Sequence, residues 1–364
     1  MIGLAHNFLA LGAGLLGIGF LIGFHELGHF LFCKLFKIRT PSFSIGMGPR
    51  LFSKTIGDTE FSLSLLPVGG YVEIAGSAEM GQGEQKEAHA TDEGSFARRP
   101  FWQKFSVMFG GILFNIIFAY MALVAIFYLG VPQSPLLYPR YASATIATIK
   151  LESPAQKGGL EAGDVITAID QHSITSPEQI TKIIRERPGQ TVLLDVVRTK
   201  ENKKISVTVG SQEIRPGTAI GFLGIDFSPK VYTLSEAFVQ AGDATWYLMK
   251  EIGGAFKRIF FKGEISNVGG PLAVIAQTVK GAQMGLKMFL LLLAFISLNL
   301  ALLNLLPLPI MDGGQIAYYG IEAITGRPLS EKVREYIHYV TWIFLILLVG
   351  ILSIRDIGGF LGLL

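Results

Sequence analysis

The sequence predicts a polytopic α-helical membrane protein of about four transmembrane helices, with a membrane-associated β-hairpin region and a separate α+β module. Three observations carry this. Of its 364 residues 50% are hydrophobic and only 16% charged, with a mean hydropathy of +0.46, too apolar for one ordinary soluble domain of that length. Apolar runs long enough to cross a ~30 Å hydrocarbon core recur along the chain. Between the second and third of these runs charges return and the pattern turns to short alternating segments.

The four spans are read as Phe8 to Phe32, Ser106 to Leu129, Met288 to Leu308, and Tyr339 to Ile354 extended by Tyr336 and Ile337. The first is preceded by no basic segment, so it reads as a retained span rather than a cleaved leader. Basic clusters flank the spans: Lys34, Lys37 and Arg39; Arg98, Arg99 and Lys104; Arg327, Lys332 and Arg334. Positive-inside counting puts all three in the cytoplasm, with both termini and the segment between spans two and three outside.

Between spans one and two, Phe61-Ser62-Leu63-Ser64-Leu65 and Pro67-Val68-Gly69-Gly70-Tyr71-Val72-Glu73-Ile74 alternate as hairpin strands within Ile38 to Ala75. Unpaired strand edges are not tolerated against lipid, whereas one lining a protein cavity can be used. Gly76 to Ser95, rich in Gly, Glu and Gln, reads as a cytoplasmic loop. In Ser143 to Ser228, Ser153-Pro154-Ala155 and Gly159-Leu160-Glu161-Ala162-Gly163-Asp164-Val165-Ile166 resemble the signature of a PDZ domain, a fold that takes up extended peptide as an added strand. Ile169, a helix near Pro177 to Arg187, and strands near Thr191 to Arg198 and Lys204 to Val209 complete it. The plain alternative is a steric cap that binds no peptide. Leu234 to Phe261 carries Lys250, Glu251, Lys257 and Arg258, which forbid a fifth span and leave an amphipathic helix on the outer surface. The expected divisions are 1–37, 38–104, 105–131, 140–230 (the PDZ domain), 231–286 (amphipathic extracytoplasmic helices) and 287–364.

The chemistry sits inside the first span. In His25-Glu26-Leu27-Gly28-His29 the two histidines, four apart, share one helix face and can offer two ring nitrogens to one metal, with Glu26 one step round as general base. The plain alternative is a pair of packed polar histidines, but ionisable groups at membrane depth are costly and default to function. Cys33 continues the four-residue spacing yet cannot join them: eight residues of helix rise about 12 Å, too far for ligands each ~2 Å from one ion. As the single cysteine it also excludes an internal disulfide. The net charge of +3 is small and its basic residues are scattered, so nucleic-acid binding is not expected.

A two-histidine zinc site needs a third ligand. Asp312 is the only acid between Glu264 and Glu322, and the third span, running inward like the first, brings it to the same end. The alternative for Asp312 is a helix-capping residue. Pro307 and Pro309 break the helix ahead of it, and Asn299 and Asn304 can hydrogen-bond a peptide lying alongside. Gly69, Gly70 and Tyr71 supply a strand edge for the same substrate.

These residues resemble the bacterial site-2 proteases, intramembrane zinc metalloproteases that include the regulator of sigma-E protease. The matching elements are His25 to His29, Phe43-Ser44-Ile45-Gly46-Met47-Gly48-Pro49, Pro67 to Val72, Gly111 to Asn115, the PDZ segment, Gly270-Pro271, and Asn304 to Pro307 through Asp312-Gly313-Gly314. The resemblance implies that His25, His29 and Asp312 bind Zn2+, that Glu26 is the catalytic acid/base, and that Asn299 and Asn304 contact substrate. It also implies a multi-pass protein of the inner (cytoplasmic) membrane that cleaves pre-trimmed single-span proteins, anti-sigma factor-like, or remnant signal peptides. Met311, Gln315 and Ile112 depart from the family's common residues, and only one PDZ domain fits the length. A non-catalytic membrane scaffold displaying the PDZ domain is the competing function, disfavoured by intact Glu26 and Asp312. A metal transporter lacks its paired ligands on successive spans.

Overall fold

In the computed structural model, which describes residues 2–77, 87, 89–215, 218–263, 269–327 and 330–360, the chain forms two compact units, 1–123 with 245–364 and 124–244. In chain order the elements are α1 (Ile2–Leu35), β1 (Ser42–Ile56), β2 (Thr59–Glu73), α2 (Phe101–Leu129), β3 (Ile146–Ile149), α3 (Pro154–Lys157), β4 (Val165–Ile169), β5 (His172–Ser173) and α4 (Pro177–Arg185). They continue with β6 (Thr191–Arg198), β7 (Glu201–Thr208), β8 (Gly210–Arg215), β9 (Thr218–Phe222), β10 (Ile225–Phe227), α5 (Leu234–Lys262), α6 (Pro271–Gln283), α7 (Leu286–Asn304), α8 (Asp312–Thr325) and α9 (Glu331–Phe360). Half of the segment read as a cytoplasmic loop, 76–95, lies outside the described residues.

Among the described residues four helices are long and apolar enough to cross a membrane: Asn7–Leu35, Phe101–Leu129, Leu286–Asn304 and Lys332–Gly359. They run beyond the apolar cores on which the sequence ranges were drawn, because helix propagation does not stop where hydropathy does. The third instead stops short of Leu308. Its last residue is Asn304, because Pro307 and Pro309 cannot extend the ladder. The first ends in a Schellman-type cap: Lys37 takes a positive φ of 56°, and the Ile38 amide reaches the Cys33 carbonyl at 2.8 Å. Cys33 and Ile38 are both buried, in a cluster with Phe43, Val72, Val107 and Tyr319 that ties α1 to the sheet, α2 and α8.

The sheet is more than a hairpin. Residues 42–45 of β1 pair with 60–63 of β2 along one edge and with 70–73 along the other. The stretch 70–73 therefore forms an outer strand, with Gly70 opposite Ile45. α6, in the segment read as surface helices, packs against α1 and α7: a Cβ on Gly14 would meet Val279 Cγ2 at 3.2 Å, and Gly281 abuts Leu292. Its N-terminus is held from α9, where the buried Asp356 carboxylate accepts the amides of Gly270 (3.1 Å) and Ala273 (2.9 Å). That carboxylate satisfies amides which a helix start leaves without intrahelical partners.

The unit 124–244 has its own core, including Ile146, Leu160, Ile166, Leu194, Val196 and Val207. Its main sheet has the order β5-β4-β6-β7, with β10 paired to β3 and β8 to β9. α3 and α4 each begin with Ser-Pro, where Ser153 and Ser176 accept the amides of Gln156 and Gln179 and proline pre-sets the first helical φ. Gly163, at φ 95°, makes the turn into β4 that a side chain would strain. Beside it, the Asp164 carboxylate is buried and receives a two-pronged bond from Arg198 at 2.7 and 2.8 Å.

Candidate metal centre

The periodicity of α1 puts His25, Glu26 and His29 on the wall of a cavity of about 240 Å³ inside the unit 1–123 with 245–364. The other lining residues include Asn115 of α2, Leu300 and Asn304 of α7, and Asp312 and Gln315 of α8. His25, Glu26 and His29 are all less than a tenth exposed. Asp312 stands at the first position of α8, where a negative charge meets the positive end of the helix dipole. Behind it the glycines allow the segment from Leu305 to Met311 to fold back over the helix start. A Cβ on Gly313 would collide with the Leu305 carbonyl, and one on Gly314 would lie 2.9 Å from Pro309 Cα. Gln315, one turn on, donates to the Pro309 carbonyl at 3.2 Å and holds the same fold-back.

Ligand atoms of three residues converge. His25 Nε2 and His29 Nε2 are 3.1 Å apart, and Asp312 places Oδ2 3.4 Å from the first and Oδ1 3.5 Å from the second. Zinc bonded at 2.0–2.1 Å in tetrahedral geometry separates its ligands by roughly 3.3–3.4 Å, close to these separations, and one ligand atom from each of the three residues can be taken with all of them within 4.8 Å of one another. Two imidazoles and a carboxylate form a donor set that suits zinc. Two imidazole lone pairs also cannot face each other at 3.1 Å unless a proton or a cation lies between them.

The second of the apolar helices, α2, orients the two rings. His29 Nδ1 donates to the Val107 carbonyl at 2.8 Å, which fixes the proton on Nδ1 and leaves Nε2 bare. His25 Nδ1 lies 3.1 Å from the Asn115 amide. Gly111 permits the approach, since a Cβ there would fall on both rings, 2.6 Å from His25 Cε1. The helices touch directly at Gly28 and Gly110, where a Cβ on Gly110 would lie 2.8 Å from the Gly28 carbonyl oxygen.

The substrate-side residues divide. Asn304 lines the cavity, its amide nitrogen 3.4 Å from His25 Nε2. Asn299 bonds the Phe295 carbonyl of its own helix at 2.8 Å and is absent from the lining. Pro307 is exposed and Pro309 half-buried, both in the fold-back before Asp312. Gly70 lies against α1, where a Cβ would stand 3.5 Å from Ile22 Cγ2. Gly69 takes φ 92° beside Met47, and Tyr71 pairs with Ser44. Asn115 was legible only as part of a family-like run, and the Val107 carbonyl not at all, because a backbone acceptor has no residue signature.

The chain is similar to known proteins along most of its length. The chain is 27% identical to the regulator of sigma-E protease RseP of Escherichia coli, over 95% of this chain and 98% of that protein. It is 28% identical to a protein of Clostridium acetobutylicum named as a zinc metalloprotease, over 96% and 98% of the two chains. Among solved structures, the PDZ domain of an SdrC-like protein from Listeria innocua is 28% identical, covering 23% of this chain and 92% of that one with a TM-score of 0.21. The model of peptidase family M50 matches residues 13–348, so the chain belongs to that family, the site-2 proteases, and is a zinc metalloprotease.

Proposed function

We propose that His25, His29 and Asp312 hold the zinc ion and that Glu26 moves the protons of peptide-bond hydrolysis within the membrane. The observation that carries this is the convergence of two buried imidazoles and one carboxylate, with ligand atoms within 4.8 Å of one another, among helices apolar enough to span a bilayer. Zinc bound there supplies Lewis-acid polarisation of the scissile carbonyl and lowers the pKa of a water. The Glu26 carboxylate removes one proton from the attacking water as its oxygen bonds to the carbonyl carbon. Glu26 then gives that proton to the amide nitrogen as the C–N bond breaks. In this reading Asn304, which lines the cavity, donates to a substrate carbonyl, and the outer strand at Gly70 pairs with an unwound substrate backbone. The cavity needs such unwinding, because a helical substrate keeps its amides bonded and shielded.

The substrates in this reading are single-span membrane proteins already trimmed on the outer side, either anti-sigma factor-like, as the name of the E. coli relative suggests, or remnant signal peptides. The protein is multi-pass in the inner membrane, with its site toward the cytoplasm. The unit 124–244 is a PDZ domain on the outer face that excludes untrimmed substrates or takes up their peptide ends. Alignment with the E. coli relative runs over 450 positions against the 364 residues here, so that relative carries segments this chain lacks and its regulation does not transfer whole.

The test separates ligands from the proton carrier. Glu26→Gln should abolish cleavage of a co-expressed single-span reporter while the purified protein keeps its zinc. His25→Ala, His29→Ala and Asp312→Ala should lose both. Zinc lost from Glu26→Gln but kept in Asp312→Ala would reverse the roles.

A further inference from the structure

A histidine serves as a metal ligand through Nε2 only when its proton sits on Nδ1, so each ring needs an acceptor behind it. His29 has one in the Val107 carbonyl, which can only accept. His25 has two groups of α2 within reach, the Gly111 backbone carbonyl and the Asn115 side chain, the latter 3.1 Å from Nδ1. Asn115 is 1% exposed, and its position is fixed from a third helix: the buried Ser297 hydroxyl of α7 donates to the Asn115 backbone carbonyl at 2.8 Å. A side chain so enclosed has few rotamers left to it.

An amide can turn either end to the ring, since its two ends have nearly the same shape. With the nitrogen toward His25, the ring proton is forced onto Nε2, where it points at the other two ligand atoms and blocks the ion. Asn115 Oδ1 is then buried with no hydrogen-bond partner among the described residues, a cost of about 1–3 kcal/mol in general terms. With the oxygen toward His25, Oδ1 gains the Nδ1–H as its donor and Nε2 is bare. The second arrangement satisfies the oxygen and prepares the ligand together.

We propose that Asn115 is a positioning residue of the metal centre: its amide oxygen accepts the Nδ1–H of His25 and turns the bare Nε2 toward the ion. The inference rests on the ligand set proposed above. It adds a side-chain acceptor for His25 to the backbone carbonyls that α2 offers the two rings, Val107 to His29 and Gly111 to His25.

Zinc affinity of the purified full-length protein in detergent, measured against a competing chelator, tests it without relying on activity. Loss of such an outer partner typically weakens metal binding about 10–100-fold, and that is the loss expected for Asn115→Leu. Asn115→Asp, whose carboxylate can only accept, should bind zinc within a few-fold of wild type or more tightly. The inference is overturned if Asn115→Leu binds like wild type, or if Asn115→Asp is as weak as Asn115→Leu. Melting of the zinc-free variants is compared alongside, and if Asn115→Leu does not fold, Asn115→Asp decides alone, support requiring wild-type affinity or better. His25→Ala separates the two levels: it should lose zinc whatever Asn115 does, and wild-type affinity there would refute the ligand set itself.

Discussion

Gly70 of the outer strand lies beside Glu26 of α1: a Cβ placed on Gly70 would stand 3.6 Å from Glu26 Cγ and 3.0 Å from the Ser44 carbonyl oxygen. No side chain on the strand at this point separates its backbone from the carboxylate proposed to move protons. A substrate backbone paired with this edge would therefore be carried past Glu26, which joins binding by strand addition to the chemistry.

Enlarging Gly70 should accordingly harm catalysis more than metal binding. Gly70→Ala places its methyl in ordinary contact with Glu26 but tight against Ser44, and a modest loss of cleavage is expected. Gly70→Val fills the space beside Glu26 and should lower reporter cleavage by on the order of tenfold or more. Zinc content measured on the same preparations should equal wild type, and loss of zinc would show that the strand supports the metal site itself.

The contact of α1 with α2 gives a packing prediction. A Cβ on Gly28 would collide with the Gly110 carbonyl, a backbone atom that cannot swing away, whereas one on Gly12 of the same helix meets nothing within 4 Å. Overpacking of this kind costs about 1–3 kcal/mol. Gly28→Ala should lower the melting temperature in detergent, and Gly12→Ala should leave it unchanged or raise it slightly through the better helix propensity of alanine. Equal effects would mean that close approach at Gly28 is not what holds the helices.

How far the site could be read from the sequence follows from the range of each interaction. His25, Glu26 and His29 sit within one and a half turns of one helix, so spacing alone assembles them. Asp312 is 283 residues beyond His29, and only the matched direction of two spans brought it to the same place. The pairing of 42–45 with both ends of β2 left no trace, because alternation gives strand faces and not strand neighbours. The packing of α6 rests on Gly14 and Gly281, small residues whose purpose appears only once a partner helix is present. Asn115 stood out only within the run Gly111 to Asn115, and nothing in its own helix announces that its amide serves a ring on another.

In the unit 124–244, the pair Asp164 and Arg198 predicts an acid limit. The Arg198 guanidinium holds the buried Asp164 carboxyl below the usual carboxylate range. Because the folded value lies below the unfolded one, near ~3.9, the stabilisation is complete above that pH and is lost as pH falls through the folded value. Amide exchange in β4 and β6 of the full chain should therefore lose protection below about pH 4. In Arg198→Leu the carboxylate is buried without its cation, at a cost of about 3–5 kcal/mol, so protection should already be low at neutral pH and recover in part as acid neutralises Asp164. Identical acid profiles for the two proteins would remove the pair from the account.

The orientation in the membrane is tested by thiol labelling from outside the cell. Lys34, Lys37 and Arg39 follow the first span, Arg98, Arg99 and Lys104 precede or begin the second, and Arg327, Lys332 and Arg334 separate the third from the fourth. Putting these three clusters in the cytoplasm leaves the site, near the inner ends of spans one and three, facing inward and residues 124–244 outside. Cys33 is buried, and Cys33→Ser removes it as background. Single cysteines at Glu93 and Arg327 should resist an impermeant maleimide in intact cells and react after permeabilisation. Cysteines at Lys200 and Glu201, where β6 turns into β7 and the side chains are exposed, should react in intact cells. The reverse pattern would invert the topology, and with it the proposal that substrates reach the zinc only after trimming on the outer face.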